Sequence, residues 1–233
     1  MKSAKRALTT GEESMIAHYN NKRRGFSLTE LSIVLGVFAI LITGIWSYAS
    51  YASQNAKVEQ SMESINALVD ATRSAYGSKA NIQGGVATVW PYLVTMGSIP
   101  GNIPLVASPG CQGTAGSYGV NAWGGTNLCG TLRVCGWVVG TNDVTGCPLA
   151  ASATASQFFA IEFSALSIPA CIRLVTRPTA TYPSAGLISV TINAVTAPAP
   201  TVPVLPTTAE SNCNQPLNGN VVDFVYSLRA PMS

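Results

Sequence analysis

Histidine is almost absent from this chain: the single one, His18, lies in a polar N-terminal stretch, so no histidine follows residue 18. That removes Ser-His, Cys-His and histidine-metal arrangements, and with them most routes to hydrolytic catalysis. Paired carboxylates are missing too. In the second half of the chain Asp143, Glu162, Glu210 and Asp223 stand singly, with no spacing suited to general acid-base work. No glycine-rich phosphate loop follows a strand, since Gly84-Gly85 and Gly124-Gly125 read as loops. Tight Cys-x2-Cys pairs and Asp-rich calcium loops are also lacking. We therefore expect no enzyme, no metal and no cofactor.

Charge is scarce as well, at 10% of residues, which is low for a soluble globular protein. What charge there is lies unevenly. Residues 1 to 25 carry six Lys/Arg against two Glu, and the rest carries seven against eight Asp/Glu. A basic excess confined to one end argues against nucleic-acid binding and suits membrane topology instead. From Leu31 to Ala56 no charged residue occurs, and Leu31 to Trp46 interrupts its apolar side chains only with Ser32, Gly36, Thr43 and Gly44. Such a run can cross a bilayer as a helix of about twenty residues. The Lys22-Arg23-Arg24 cluster just before it places the N-terminus in the cytoplasm and the remainder outside.

Beyond the span, Val58, Met62, Ile65, Val69, Thr72 and Tyr76 recur at alternating spacings of four and three, with Glu59, Glu63 and Asp70 off that seam. No proline precedes Pro91, and Gly77 offers a C-terminal stop. These features predict one helix from about Phe26 to Tyr76, roughly 75 Å long. Its first half must then pack against lipid or other copies of the chain. After Gly77 all fourteen prolines appear, and Gly, Ser, Thr and Asn separate short β-prone runs. Expected strands are Leu132 to Val139, Gln157 to Phe163, Leu187 to Ala194 and Asn220 to Leu228; "IPACIRLVTRP" (168–178) predicts a short helix carrying Cys171, and the proline-rich 196–209 an extended loop. The fold class is α+β, a long N-terminal helix on an antiparallel sheet. All six cysteines follow the apolar run, on the outer side, and their even number predicts disulfides.

The stretch "RRGFSLTE", directly before the apolar helix, resembles the processing site of type IV prepilins and related pseudopilins. A basic leader ends in glycine, a hydrophobic residue opens the mature chain, and glutamate stands fifth in it. Carried onto this sequence, the resemblance implies cleavage between Gly25 and Phe26 by a prepilin peptidase, N-methylation of Phe26, and Glu30 as the assembly glutamate, pairing with the Phe26 amine of a neighbouring subunit. Two other readings of the same residues compete. Ser27 and Glu30 fit a capping box, and Ser50-Tyr51-Ala52 offers small residues for signal-peptide cleavage. The latter would discard a half-helix whose periodicity continues to Tyr76.

The long leader and "FFAIEFSALSIPACIRLV" are similar to type IVb pilins, in which the cysteine of this helix pairs with one near the C-terminus. The resemblance thus implies Cys171–Cys213, and the four cysteines between 111 and 147 exceed the usual complement. Three pairings are open to them, of which we expect Cys111–Cys129 and Cys135–Cys147. The implied organisation is a leader over 1–25, a helix over 26–76 with 26–52 in the membrane or filament core, and a disulfide-bonded head over 77–233. The implied function is a structural subunit, held single-pass in the inner membrane by its helix, handled by a membrane assembly platform and polymerised into an extracellular helical homo-oligomer. A minor or tip pilin acting as an adhesin, and a type II secretion pseudopilin, are the alternatives. Gly36 and Gly44 would serve either local softening of the helix in the fibre or close packing of a neighbouring helix.

Overall fold

A computed structural model describes residues 27–82, 86–107, 117–124, 130–137, 147, 156–177, 186–193, 195–198, 204–217 and 219–229. The chain divides into two units between Tyr48 and Ala49. Helix α1, Leu28–Tyr76, runs unbroken from one into the other. Its start and stop fall within two residues of the sequence expectation. In its first unit α1 is apolar all round and has no core to join: Leu31, Ile33, Leu35, Phe38, Ile40 and Ile45 are all exposed. It is long and apolar enough to cross a membrane, with a window of mean hydropathy 2.2.

The second half of α1 behaves as an amphipathic helix. Val58, Ile65, Val69, Thr72 and Tyr76 of the predicted seam are buried, joined by Ser61, Ser64 and Leu68. The small serines fit because each hydroxyl bonds back to a carbonyl four residues earlier, Lys57 for Ser61 and Gln60 for Ser64. Glu59, Glu63 and Asp70 stay in solvent, as their position off the seam requires.

Among the described residues, the rest of the second unit is a seven-stranded antiparallel sheet with flanking helices. In chain order come α2 (Val86–Thr95), β1 (Leu105–Ala107), β2 (Ser117–Gly119), β3 (Leu132–Trp137), β4 (Phe158–Leu166), α3 (Ile168–Thr176), β5 (Leu187–Ile192), β6 (Val195–Pro198), α4 (Pro206–Asn212) and β7 (Asn220–Ser227). The strand order is β1-β2-β3-β4-β7-β5-β6. Alternate residues of the central strands, among them Val134, Phe159, Ile161, Phe163, Val222, Phe224 and Tyr226, join the α1 seam in one core. Ring pairs Phe159–Tyr226 and Phe163–Phe224 stand 5.7 and 6.0 Å apart across β4 and β7. At the end of α1, Arg73 donates through Nε and Nη2 to the Ser227 carbonyl of β7, at 3.2 and 2.9 Å. Helix and sheet are thereby tied at a second, polar point.

Four expected strands and the short helix of 168–178 appear with boundaries shifted by a few residues. β4 runs on to Leu166 through a bulge after Phe163, where Ala165 takes a positive φ of 59°. The bulge is held from outside, because Asn121 Nδ2 donates to the Ser164 carbonyl at 2.8 Å and the Ser164 N–H donates to Thr131 at 2.9 Å. The proline-rich 196–209 corrects the sequence expectation. Its two ends are not loop: β6 takes 195–198 and α4 begins at Pro206. Proline is tolerated in each place for a physical reason. β6 is an edge strand, where a missing N–H breaks no ladder, and Pro206 occupies the first helical turn, where the N–H has no partner to lose. The sequence pattern does not predict helix α2, which contains Pro91. Burial outweighs the proline, with Val89, Trp90 and Leu93 completely covered. Gly119 makes room for Trp90: a Cβ at that position would stand 2.6 Å from the indole.

Candidate functional site

Gly25 and Phe26 lie outside the described residues, so the site at the head of the chain is seen from Ser27 onward. Ser27 and Glu30 are locked to each other. The Ser27 N–H donates to Glu30 Oε2 at 3.0 Å, and the Glu30 N–H donates to Ser27 Oγ at 3.2 Å. This is a reciprocal capping box, which satisfies two of the amides that a helix start leaves without partners. Both residues are exposed. Glu30 therefore sits in the first turn, where the helix dipole favours a carboxylate, with part of its accepting capacity used within its own chain. Among the described residues, none brings a heavy atom within 4 Å of an added Cβ at Gly36 or Gly44.

The cysteines of the head pair as expected where they are described. Cys171 of α3 joins Cys213 just after α4, and Cys135 of β3 joins Cys147. Cys111 and Cys129 lie outside the described residues. The longer bridge sits in a polar weave. Asn193, at φ 48° in the turn after β5, donates to the Asn212 carbonyl at 2.7 Å and to Asn220 Oδ1 at 2.9 Å, and accepts from the Val221 N–H at 2.8 Å. Helix α4, the β5 turn and β7 are thus joined around Cys213.

The structure also brings together residues that looked scattered. Arg133, Glu162, Asp223 and Thr191 stand directly opposite one another on β3, β4, β7 and β5, forming one polar row across the sheet. All four are buried. Arg133 Nη1 lies 3.1 Å from Glu162 Oε1, and the backbone N–H of Cys147 donates to the other Glu162 oxygen. Burial pushes the Glu162 carboxyl up, against the Arg133 charge and the Cys147 N–H, which pull it down. Cys147, Glu162 and Asp223 bring possible ligand atoms within 4.8 Å of one another. They do not make a metal centre, because the Cys147 sulfur is spent in a disulfide and a guanidinium sits on Glu162. The row was legible in the sequence only as polar residues inside β-prone runs; the pairing depends on strand register, which no local pattern states.

Residues 20–46 match the family model for the prokaryotic N-terminal methylation motif. The chain carries a prokaryotic N-terminal methylation motif. The match covers the basic cluster, Gly25, Phe26, Glu30 and the apolar run through Trp46. Among solved structures, a crystal structure of a type IVb pilin from Salmonella typhi is similar, with 18% identity, a TM-score of 0.46, and coverage of 68% of this chain and 93% of that one. No curated protein matches the chain. Joined to this methylation motif are the long helix, the antiparallel sheet and the two described disulfides of an α+β head.

Proposed function

We propose that this chain is a structural subunit of a type IV pilus, not a catalyst. A leader over 1–25 is removed between Gly25 and Phe26 by a prepilin peptidase, which also methylates the new Phe26 amine. The single-pass helix then holds the subunit in the inner membrane, with the head over 77–233 outside, until an assembly platform draws it into an extracellular helical filament of identical subunits. In that filament Glu30 neutralises the Phe26 amine of a neighbour, and the exposed apolar side chains of α1 exchange lipid for one another. Adhesion through the outward-facing head is compatible with such a filament.

One observation carries this reading. The methylation motif opens a helix whose next two dozen residues, through Tyr51, stay exposed and uncharged after Glu30. Mass spectrometry of the N-terminus from sheared cell-surface filaments tests it. The expected species begins with N-methylated Phe26; a chain beginning after Ala52, or retaining residues 1–25, overturns the assignment. Abundance in the same preparation separates a major subunit from a minor or tip one.

A further inference from the structure

Where α1 leaves its uncharged run, α3 lies against it. The two helices enclose a groove of about 360 Å³ lined by Asn55, Val58 and Glu59 of α1 and by Arg173, Thr176 and Arg177 of α3 or its cap. Its electrostatics are unbalanced. Arg177 Nη2 pairs with Glu59 Oε1 at 2.8 Å, in an exposed contact that opens at little cost. Arg173 has no carboxylate partner among the described residues; its guanidinium lies 5.0 Å from the centre of the Tyr51 ring, and its buried Nη1 has no hydrogen-bond acceptor. Two cations against one anion leave the groove positive, with donor capacity unspent.

Position along α1 indicates what meets that charge. The run from Leu31 to Ala56 is uncharged, and about twenty helical residues cross the hydrocarbon core, which carries a span from Leu31 to the neighbourhood of Ser50. Trp46, Tyr48 and Tyr51 cluster around the end of that span, at the depth where aromatic side chains favour the bilayer interface, and all three are exposed. Asn55 and Glu59 lie one and two turns further on, at the level of the headgroups. Guanidinium groups bind phosphate oxygens in forked geometry and are the common side chain for that task.

We propose that the groove between α1 and α3, walled by Arg173 and Arg177, seats the phosphate of an anionic phospholipid headgroup while the chain is anchored in the membrane. This rests on the membrane-held stage of the proposed function, and it adds a second, head-borne contact with the bilayer that release into a filament must break.

The full chain, reconstituted in vesicles of phosphatidylcholine alone or mixed with phosphatidylglycerol, tests it by hydrogen exchange over Ile168–Thr176. Exchange should slow by about threefold or more when phosphatidylglycerol is present, and the effect should vanish in R173Q and weaken in R177Q. Far-UV circular dichroism checks that both variants fold, and the lipid comparison on the unaltered chain stands without them. Equal exchange in the two vesicles overturns the proposal. Equal protection by inorganic phosphate in phosphatidylcholine vesicles also overturns it, since the site would then serve a free ion. Protection that follows the protein-to-lipid ratio, regardless of lipid charge, overturns it in favour of a neighbouring chain. Alkaline extraction of the vesicles is read in parallel. A chain that resists extraction but shows no lipid-dependent protection refutes the groove alone; a chain that is extracted refutes the membrane-held stage and the groove with it.

Discussion

Glu30 has two partners to choose between, and one of them is observed. The capping box with Ser27 explains the Ser-x-x-Glu spacing entirely within one protomer. The proposed charge pairing with a neighbour's Phe26 amine would explain why an acid, specifically, stands at the mouth of an apolar helix. Glutamine separates the two, because Glu30→Gln keeps an oxygen that accepts from the Ser27 N–H and discards the charge. We expect E30Q to retain the helix by circular dichroism and to lose incorporation into filaments beside unaltered subunits; incorporation at the normal level would leave the cap as Glu30's whole role. Ser27→Ala, which removes only the hydroxyl acceptor, should cost the helix start about 1 kcal/mol and leave incorporation intact.

At the scale of strands, the buried row decides pH behaviour. The Glu162 pKa lies above its free value of 4.5 because burial outweighs Arg133 and the Cys147 N–H. A carboxyl whose folded value is raised contributes stability that is complete below the free value and is lost as pH rises through the folded value. Unfolding midpoints in urea should therefore fall as pH climbs above 4.5, and E162Q should flatten that fall. R133M, which removes the cation 3.1 Å away, should extend the fall to higher pH and at neutral pH cost about 3–5 kcal/mol, the usual penalty for stripping one partner from a buried pair. The double variant should recover much of that loss. A fall for R133M that ends at the same pH as that of the unaltered chain would show that the ion pair has no part in holding the Glu162 charge. None of this was legible in the sequence, where Glu162 and Asp223 lie sixty-one positions apart (223 − 162 = 61). In contrast, the α1 seam is legible almost residue by residue, because a 3.6-residue period is a local property of the chain.

For the whole molecule, the two described disulfides close loops of different length, with sequence separations of 42 for Cys171–Cys213 and 12 for Cys135–Cys147. Loop entropy alone ranks their removal at about 4 and about 3 kcal/mol. The shorter bridge has a further task, since it holds the Cys147 N–H against Glu162 at the centre of the sheet. We expect C135S/C147S to cost at least as much as C171S/C213S in denaturant unfolding at neutral pH. A cost clearly below that of the longer bridge would show that the cover over the polar row adds nothing. Pairing of Cys171 with Cys213 came from the resemblance to type IVb pilins, whereas the polar weave around Asn193 and Asn220 that surrounds it became visible only with the chain folded.

What the sequence by itself determined is what depends on neighbours along the chain: the processing motif, the uncharged run, the amphipathic seam to Tyr76 and the alternating strands. Each is a period or a spacing, and the physics acts within a few turns or residues. The tertiary structure alone decided strand order, the Arg133–Glu162–Asp223 row, the helix admitted at Pro91 and the arginine groove against α1. Those depend on register and on burial, which draw together residues far apart in sequence and let the gain from a covered core override local preference.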